Sequence, residues 1–359
     1  MVTLANATRI GELLQRAVGN HASDMHIVVG RPPLQRIHTV LAPMEGEPDV
    51  TEEDAYRFIE NLLTADQRRT LEDRRDFDFS TSLPTGVRFR VNAHFQRSTP
   101  ALAFRAIPGR VPPIDSLNLP EVVLDFANLP QGLILVTGQT GSGKSTTLAS
   151  IVDYINHKYP YHVITLEDPI EYYLESDVCS VEQREVGIDV PDFASGLRHV
   201  LRQDPDVILI GEMRDLETIS TALTAAETGH LVLSTLHTND SVSTVERIID
   251  SFPAAQQDQV RSMLANALKG VLCQRLFPRL DMPGMVPAVE VLVSTPAVRN
   301  CVRENRIFEI PNIIETNRNL GMQLFDESLK RLYFSGTIAR DDAISNARAP
   351  EQLAHVLSD

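Results

Sequence analysis

The chain has 359 residues, a formal net charge of −15 and 43% hydrophobic side chains, so its apolar content supports ordinary cores and excludes wholesale disorder. Cys179, Cys273 and Cys301 are far apart and form no C-x-x-C pair, which argues against a disulfide scaffold and a four-cysteine zinc site. No apolar run approaches the ~20 residues of a membrane span, residues 1–19 lack a signal-like apolar region, and the acidic balance disfavours nucleic acid as a ligand. A cytoplasmic protein of two domains is expected.

In chain order, apolar residues at helical spacing over 10–18 predict a helix, and residues 25–29 predict a strand ended by Gly30 and by Pro32 and Pro33. Thr51 followed by acidic residues starts a helix through Leu63, and Thr64 starts a short one. Strand-like runs follow at 76–80, 87–95 and 101–107. The middle run alternates Val87, Phe89, Val91, Ala93 and Phe95 with polar residues, as a half-exposed antiparallel strand requires. Residues 1–107 therefore form an N-terminal α+β domain, and 108–120, with four prolines, is a linker. In 121–359 the texture changes. Short apolar runs at 133–137, 163–166, 207–210 and 231–234 alternate with helical stretches, the pattern of a parallel sheet covered on both faces. Helices at 256–269 and 323–332 flank a strand-like 285–293 in a mostly helical C-terminal region.

The string GQTGSGKS at 138–145 matches the P-loop pattern, with an apolar strand before it and a helix over 145–157 after it. Such a loop aims backbone N–H groups at an anionic phosphate, and the helix N-terminus adds its positive end. Gly138, Thr140, Gly141, Ser142 and Gly143 would cradle the phosphates, Lys144 would neutralise them, Ser145 would hold Mg2+, and Thr146 adds a nearby hydroxyl. A P-loop needs a carboxylate at the end of another core strand. Glu212, after the apolar run 207–210, supplies one long enough to orient an attacking water. Glu167, Asp168 and Glu171 follow the 163–166 run and, taken alone, describe a solvated turn. His230 and His237 flank the 231–235 run at a spacing that suits no zinc motif.

Together these strings resemble the PilT family of type IV pilus retraction ATPases over residues 20–350. They are 138–147 (Walker A), 167–175 (Asp box), 204–215 (Walker B) and 224–238 (His box), with 181–186 also similar. Two C-terminal strings set retraction motors apart from their relatives: TPAVRNCVRE at 295–304 and GMQLFD at 321–326. The sequence departs from the family's usual residues at Gln139, Cys301 and Val302, and it lacks the four-cysteine motif of extension motors. The resemblance implies a PAS-like N-terminal domain followed by a RecA-like P-loop ATPase domain with a helical C-terminal region. It also makes Glu212 the catalytic glutamate, with Glu167 and Glu171 organising magnesium and water. By the same resemblance His230 and His237 sense the γ-phosphate region, and Arg90 and Arg105 reach the nucleotide from the N-terminal domain.

The expected protein is thus a homohexameric ATPase using ATP and Mg2+, the metal held on Ser145 with Glu212 and Glu171 through water. Its expected place is the inner face of the cytoplasmic membrane, without insertion into it. There it would act on an inner-membrane platform protein, with a paralogous accessory ATPase as a possible partner. Alternatives are an accessory retraction motor, an extension or type II secretion ATPase, a nucleotide-dependent structural switch and a nucleic-acid translocase.

Overall fold

Residues 2–3, 8–37, 40–107 and 109–357 are described by the computed structural model. Chain contacts separate two units, Met1–Arg110 and Val111–Asp359. The first contains β1 (Val2–Thr3), α1 (Arg9–Gly19), β2 (Asp24–Val28), β3 (Leu34–Ile37), β4 (Val40–Pro43), α2 (Glu52–Leu62) and α3 (Ala65–Arg74). It ends with β5 (Asp76–Ser82), β6 (Arg88–Gln96) and β7 (Thr99–Ile107). The seven strands lie in the order β1-β5-β6-β7-β2-β3-β4. Ile10, Leu13 and Leu14 of α1 and Phe58 of α2 share one buried core with Phe89, Val91 and Phe104 of the sheet. Thr51 and Thr64 each cap a helix through a reciprocal capping box, with Asp54 and Gln67 as partners. The helix starting at Thr64 runs for 10 residues. β3 and β4 carry no apolar alternation strong enough to mark them, and every residue of β4 is exposed.

The second unit contains α4 (Val122–Ala127), β8 (Gly132–Thr137), α5 (Lys144–Asn156), β9 (His162–Glu167), β10 (Ser180–Glu185), α6 (Phe193–Val200), β11 (Val207–Ile210), α7 (Leu216–Glu227) and β12 (Leu231–Leu236). Then come α8 (Ser241–Asp250), α9 (Gln257–Ala267), β13 (Leu268–Pro278), β14 (Met285–Val293), α10 (Pro296–Arg303), α11 (Ile310–Thr316), α12 (Phe325–Phe334), α13 (Arg340–Asn346) and α14 (Pro350–Val356). Seven strands form one sheet in the order β10-β9-β11-β12-β8-β13-β14, parallel except for the β13–β14 pair. β8, β11 and β12 are buried throughout, as a sheet covered on both faces demands. One face packs against α5 and the other against α7, α8 and α9.

Two sequence expectations change here. The helix anticipated to residue 269 ends at Ala267, and 268–278 is an 11-residue strand. At Gly270 the Phe126 ring occupies the space of a side chain, 2.3 Å from where a Cβ would sit. The helix anticipated from Gln323 begins instead at Phe325, because Gln323 pairs with Val291 as a β-bridge. Within 111–120, read as linker, Ile114 is buried in the α5-side core and the Pro112 carbonyl accepts a 2.7 Å hydrogen bond from Ser150 Oγ.

Candidate active site

The P-loop leaves buried β8 and enters α5 through Gly143, whose φ of 87° is a left-handed cap that only glycine adopts freely. Gly138 has φ +143°, and a Cβ there would lie 2.3 Å from the Gln274 carbonyl and 2.6 Å from Ser142 Oγ. Gln274 braces the loop: its Nε2 donates to the Ser142 carbonyl (2.6 Å), and its Oε1 accepts from Thr147 Oγ1 (3.0 Å). No local signal marked Gln274, because it belongs to the unanticipated strand β13.

Lys144 Nζ donates to the carbonyls of Gly138 (2.9 Å) and Gln139 (3.0 Å), folded over the mouth of its own loop. Burial pulls its pKa down, and the charges of Glu212 and Glu171 oppose that fall. A half-buried ammonium between two carboxylates suits a triphosphate with a divalent cation. Ser142 Oγ is buried there without a hydrogen-bond partner among the described residues, a further polar group for a ligand to satisfy. Thr146 Oγ1 lies 2.9 Å from the Tyr172 hydroxyl, which ties the start of α5 to the 167–175 loop. Among the described residues no protein-only cluster of His, Cys, Asp and Glu could hold a metal.

Glu212 follows β11 through Gly211, whose N–H donates to the Leu166 carbonyl (2.7 Å). Its Oε1 lies 3.0 Å from His237 Nε2, and its Oε2 lies 2.8 Å from Arg214 Nη2. Burial pushes the Glu212 carboxyl up, but the hydrogen bond from Arg214 and the charges of His237 and Arg214 outweigh it and leave the pKa lowered. The residue is thus an ionised acceptor, as a water-orienting group must be. Thr235 Oγ1 donates to the Gly211 carbonyl (2.6 Å) and locks the end of β12 to this turn.

Glu167, at the end of β9, accepts from Thr165 Oγ1 (2.7 Å) and Gln183 Nε2 (3.1 Å). Burial raises its pKa against those hydrogen bonds. It ties β10 to β9 at the edge of the site. Glu171, in the loop beyond, is exposed. His230 is not brought to this cluster. It precedes β12 while His237 follows it, and six strand residues at about 3.3 Å each separate the two by roughly 20 Å. His230 Nδ1 lies instead 2.9 Å from the Ala225 carbonyl, at the C-terminal end of α7. Arg90 and Arg105 belong to the first unit, where they are direct cross-strand partners of β6 and β7. Arg105 Nε donates to Asp24 Oδ1 (2.9 Å), and Arg90 is exposed.

The family described as type II/IV secretion system protein matches residues 6–317. The type IV pilus retraction ATPase PilT of Pseudomonas aeruginosa is 44% identical over 96% of this chain and 99% of its own. The crystal structure of the pilus retraction motor PilT with bound ADP superposes with a TM-score of 0.90, at 43% identity over 96% of this chain and 98% of that one. The chain belongs to the PilT family of pilus retraction ATPases. Another similar chain is the type IV pilus ATPase PilU of Pseudomonas aeruginosa, 37% identical over 95% of this chain and 89% of its own. The type II secretion system protein E of Xanthomonas campestris matches over only 43% of this chain and 25% of its own. Residues 295–304 form α10, capped by Thr295 with Val298, Cys301 and Val302 buried, and residues 321–326 form the turn through Gln323 into α12. Cys301 and Val302 are therefore packing positions, which apolar exchange leaves intact. Among the described residues no helix is long and apolar enough to cross a membrane.

Proposed function

We propose that this chain is the subunit of a homohexameric motor at the cytoplasmic face of the inner membrane, where it hydrolyses ATP to withdraw pilin subunits through a platform protein. The backbone of Gly138, Thr140, Gly141, Ser142 and Gly143 would cradle the phosphates, with Lys144 and Thr146 beside them. Ser145, with Glu212 and Glu171 through water, would hold Mg2+, which would supply positive charge for phosphoryl transfer. Glu212 orients the attacking water and accepts its proton, His237 holds that carboxylate in place, and Glu171 and Glu167 organise the water on the facing edge. Arg90 and Arg105 would stabilise transition-state charge in the ring. His230 has no part in this cluster of the same chain.

The observation that supports this reading is the Glu212–His237 pair, 3.0 Å apart, on a P-loop sheet in a chain 44% identical to a retraction ATPase along 96% of its length. Glu212→Gln should bind ATP normally and lose about 10²–10⁴ in turnover, measured as phosphate release with Mg-ATP. Turnover near wild type refutes the assignment. A second reading is an accessory retraction motor of the same family, which also contains a type IV pilus ATPase 37% identical along 95% of this chain. Deletion followed by imaging of surface fibres tests both. Fibres that accumulate without withdrawing support the main motor, fibres that still withdraw under reduced load support the accessory one, and loss of fibres supports extension.

A further inference from the structure

A strap of ion pairs in the second unit joins its C-terminal helices to the loop that carries His237. Asp326, at the start of α12, accepts hydrogen bonds from the backbone N–H groups of Arg348 (2.8 Å) and Ala349 (3.0 Å). That fixes the turn between α13 and α14 and aims the Arg348 side chain inward. Its Nη2 lies 2.8 Å from Oε2 of Glu290, whose side chain is only 1% exposed, and 3.5 Å from Asp240 Oδ2. The other Glu290 oxygen accepts the Ser241 N–H (2.8 Å), and Asp240 caps α8 through the Ser243 N–H (2.7 Å). Burial drives the Glu290 carboxyl up, and the Arg348 charge counters it. A carboxylate this deep is costly unless a cation and hydrogen bonds answer it, and here the Arg348 charge and the Ser241 N–H do so. Arg275 provides a fixed base, its Nη1 donating to Asn346 Oδ1 (2.7 Å) and its guanidinium lying over the Phe325 ring.

Only residues 237–240 separate the end of β12 from α8, so the N-terminus of α8 sets where His237 stands. We propose that Arg348 is a positioning residue for hydrolysis: by clamping Glu290 and the Asp240 cap it holds the 237–240 loop so that His237 stays on Glu212. The proposal rests on the reading of Glu212 and His237 as the hydrolytic pair. The phosphate grip is braced by Gln274, whose hydrogen bonds go to Ser142 and Thr147 and not to the strap. Loss of the strap should therefore reach turnover and spare ATP binding.

The full-length protein tests this with Mg-ATP kinetics and hydrogen exchange of the 237–245 segment. Arg348→Ala should lower kcat at least tenfold, leave KM for ATP within twofold, and speed exchange in 237–245 at least tenfold relative to α5. Arg348→Lys should recover part of kcat. Should Arg348→Ala fail to fold, the paired variant Glu290→Gln with Arg348→Met removes the buried charge along with its partner. Its Tm should return to near wild type while kcat stays low. A kcat within twofold of wild type in Arg348→Ala or in the folded paired variant, or unchanged exchange in 237–245, overturns the proposal. A wild-type protein that splits no ATP would fail the hydrolytic reading instead, and the exchange measurement would still decide whether the strap holds the loop.

Discussion

Glu212 is held by Arg214 and His237, and its own lowered pKa sets how the protein should answer pH. Its pKa is lowered, so the ionised carboxylate is fully present above the ordinary carboxylate value of about 4.3 and is lost only as pH falls through the lowered one. The kcat profile should show no Glu212 limb at neutral pH. Arg214→Ala leaves burial less opposed, so the acid limb should move upward, measurable as a pH–rate shift. At Cys273 burial pushes the thiol up to about 12. The other two cysteines are buried as well. Native protein at pH 8 should resist alkylation by iodoacetamide and take up label at all three sites once denatured, read by mass.

At the scale of elements, the strand-to-helix turn tolerates little change. Gly138→Ala puts a Cβ 2.3 Å from the Gln274 carbonyl at a φ of +143°, and the loop must distort to admit it. Such overpacking costs about 1–3 kcal/mol and should weaken ATP binding more than tenfold, measured by nucleotide titration. Asp215 stands three residues from Glu212 but does a different job. Its carboxylate caps α7 through the Thr218 N–H (2.8 Å) and the Thr218 hydroxyl (2.7 Å). Asp215→Ala should cost about 1 kcal/mol, seen as a fall in Tm, with far less loss of turnover than Glu212→Gln.

At the scale of the whole molecule, the proposed role of Arg90 and Arg105 can be tested. Like charges directly across a strand pair are unfavourable, yet Arg90 faces Arg105, with Asp24 offsetting only the latter. Arg90 makes no hydrogen bond or ion pair that stabilises its own unit among the described residues, which suits a side chain kept for a ligand. Arg90→Ala should leave Tm within the small range of surface changes, about 0.5 kcal/mol, and lower turnover at least tenfold under ring-forming conditions. Unchanged turnover would make Arg90 an ordinary surface residue. With a net charge of −15, DNA should bring no salt-sensitive binding.

By itself the sequence determined what is local: the P-loop, the strand-end position of Glu212, the capping residues Thr51 and Thr64, and the apolar runs of a parallel sheet. Each is written in a few neighbouring residues whose backbone demands permit little else. Only the tertiary structure decided what joins distant segments. Strand direction sets His237 beside Glu212 and leaves His230 at the far end of β12. Pairing with β8 turns 268–278 into a strand, a short apolar run that periodicity alone cannot separate from a helix. The Gln274 brace spans 127 residues of sequence to Thr147, and the Arg348–Glu290 pair also joins distant segments. Such contacts exist only once the chain has closed its loops, and burial then fixes them by making an unpaired polar group costly.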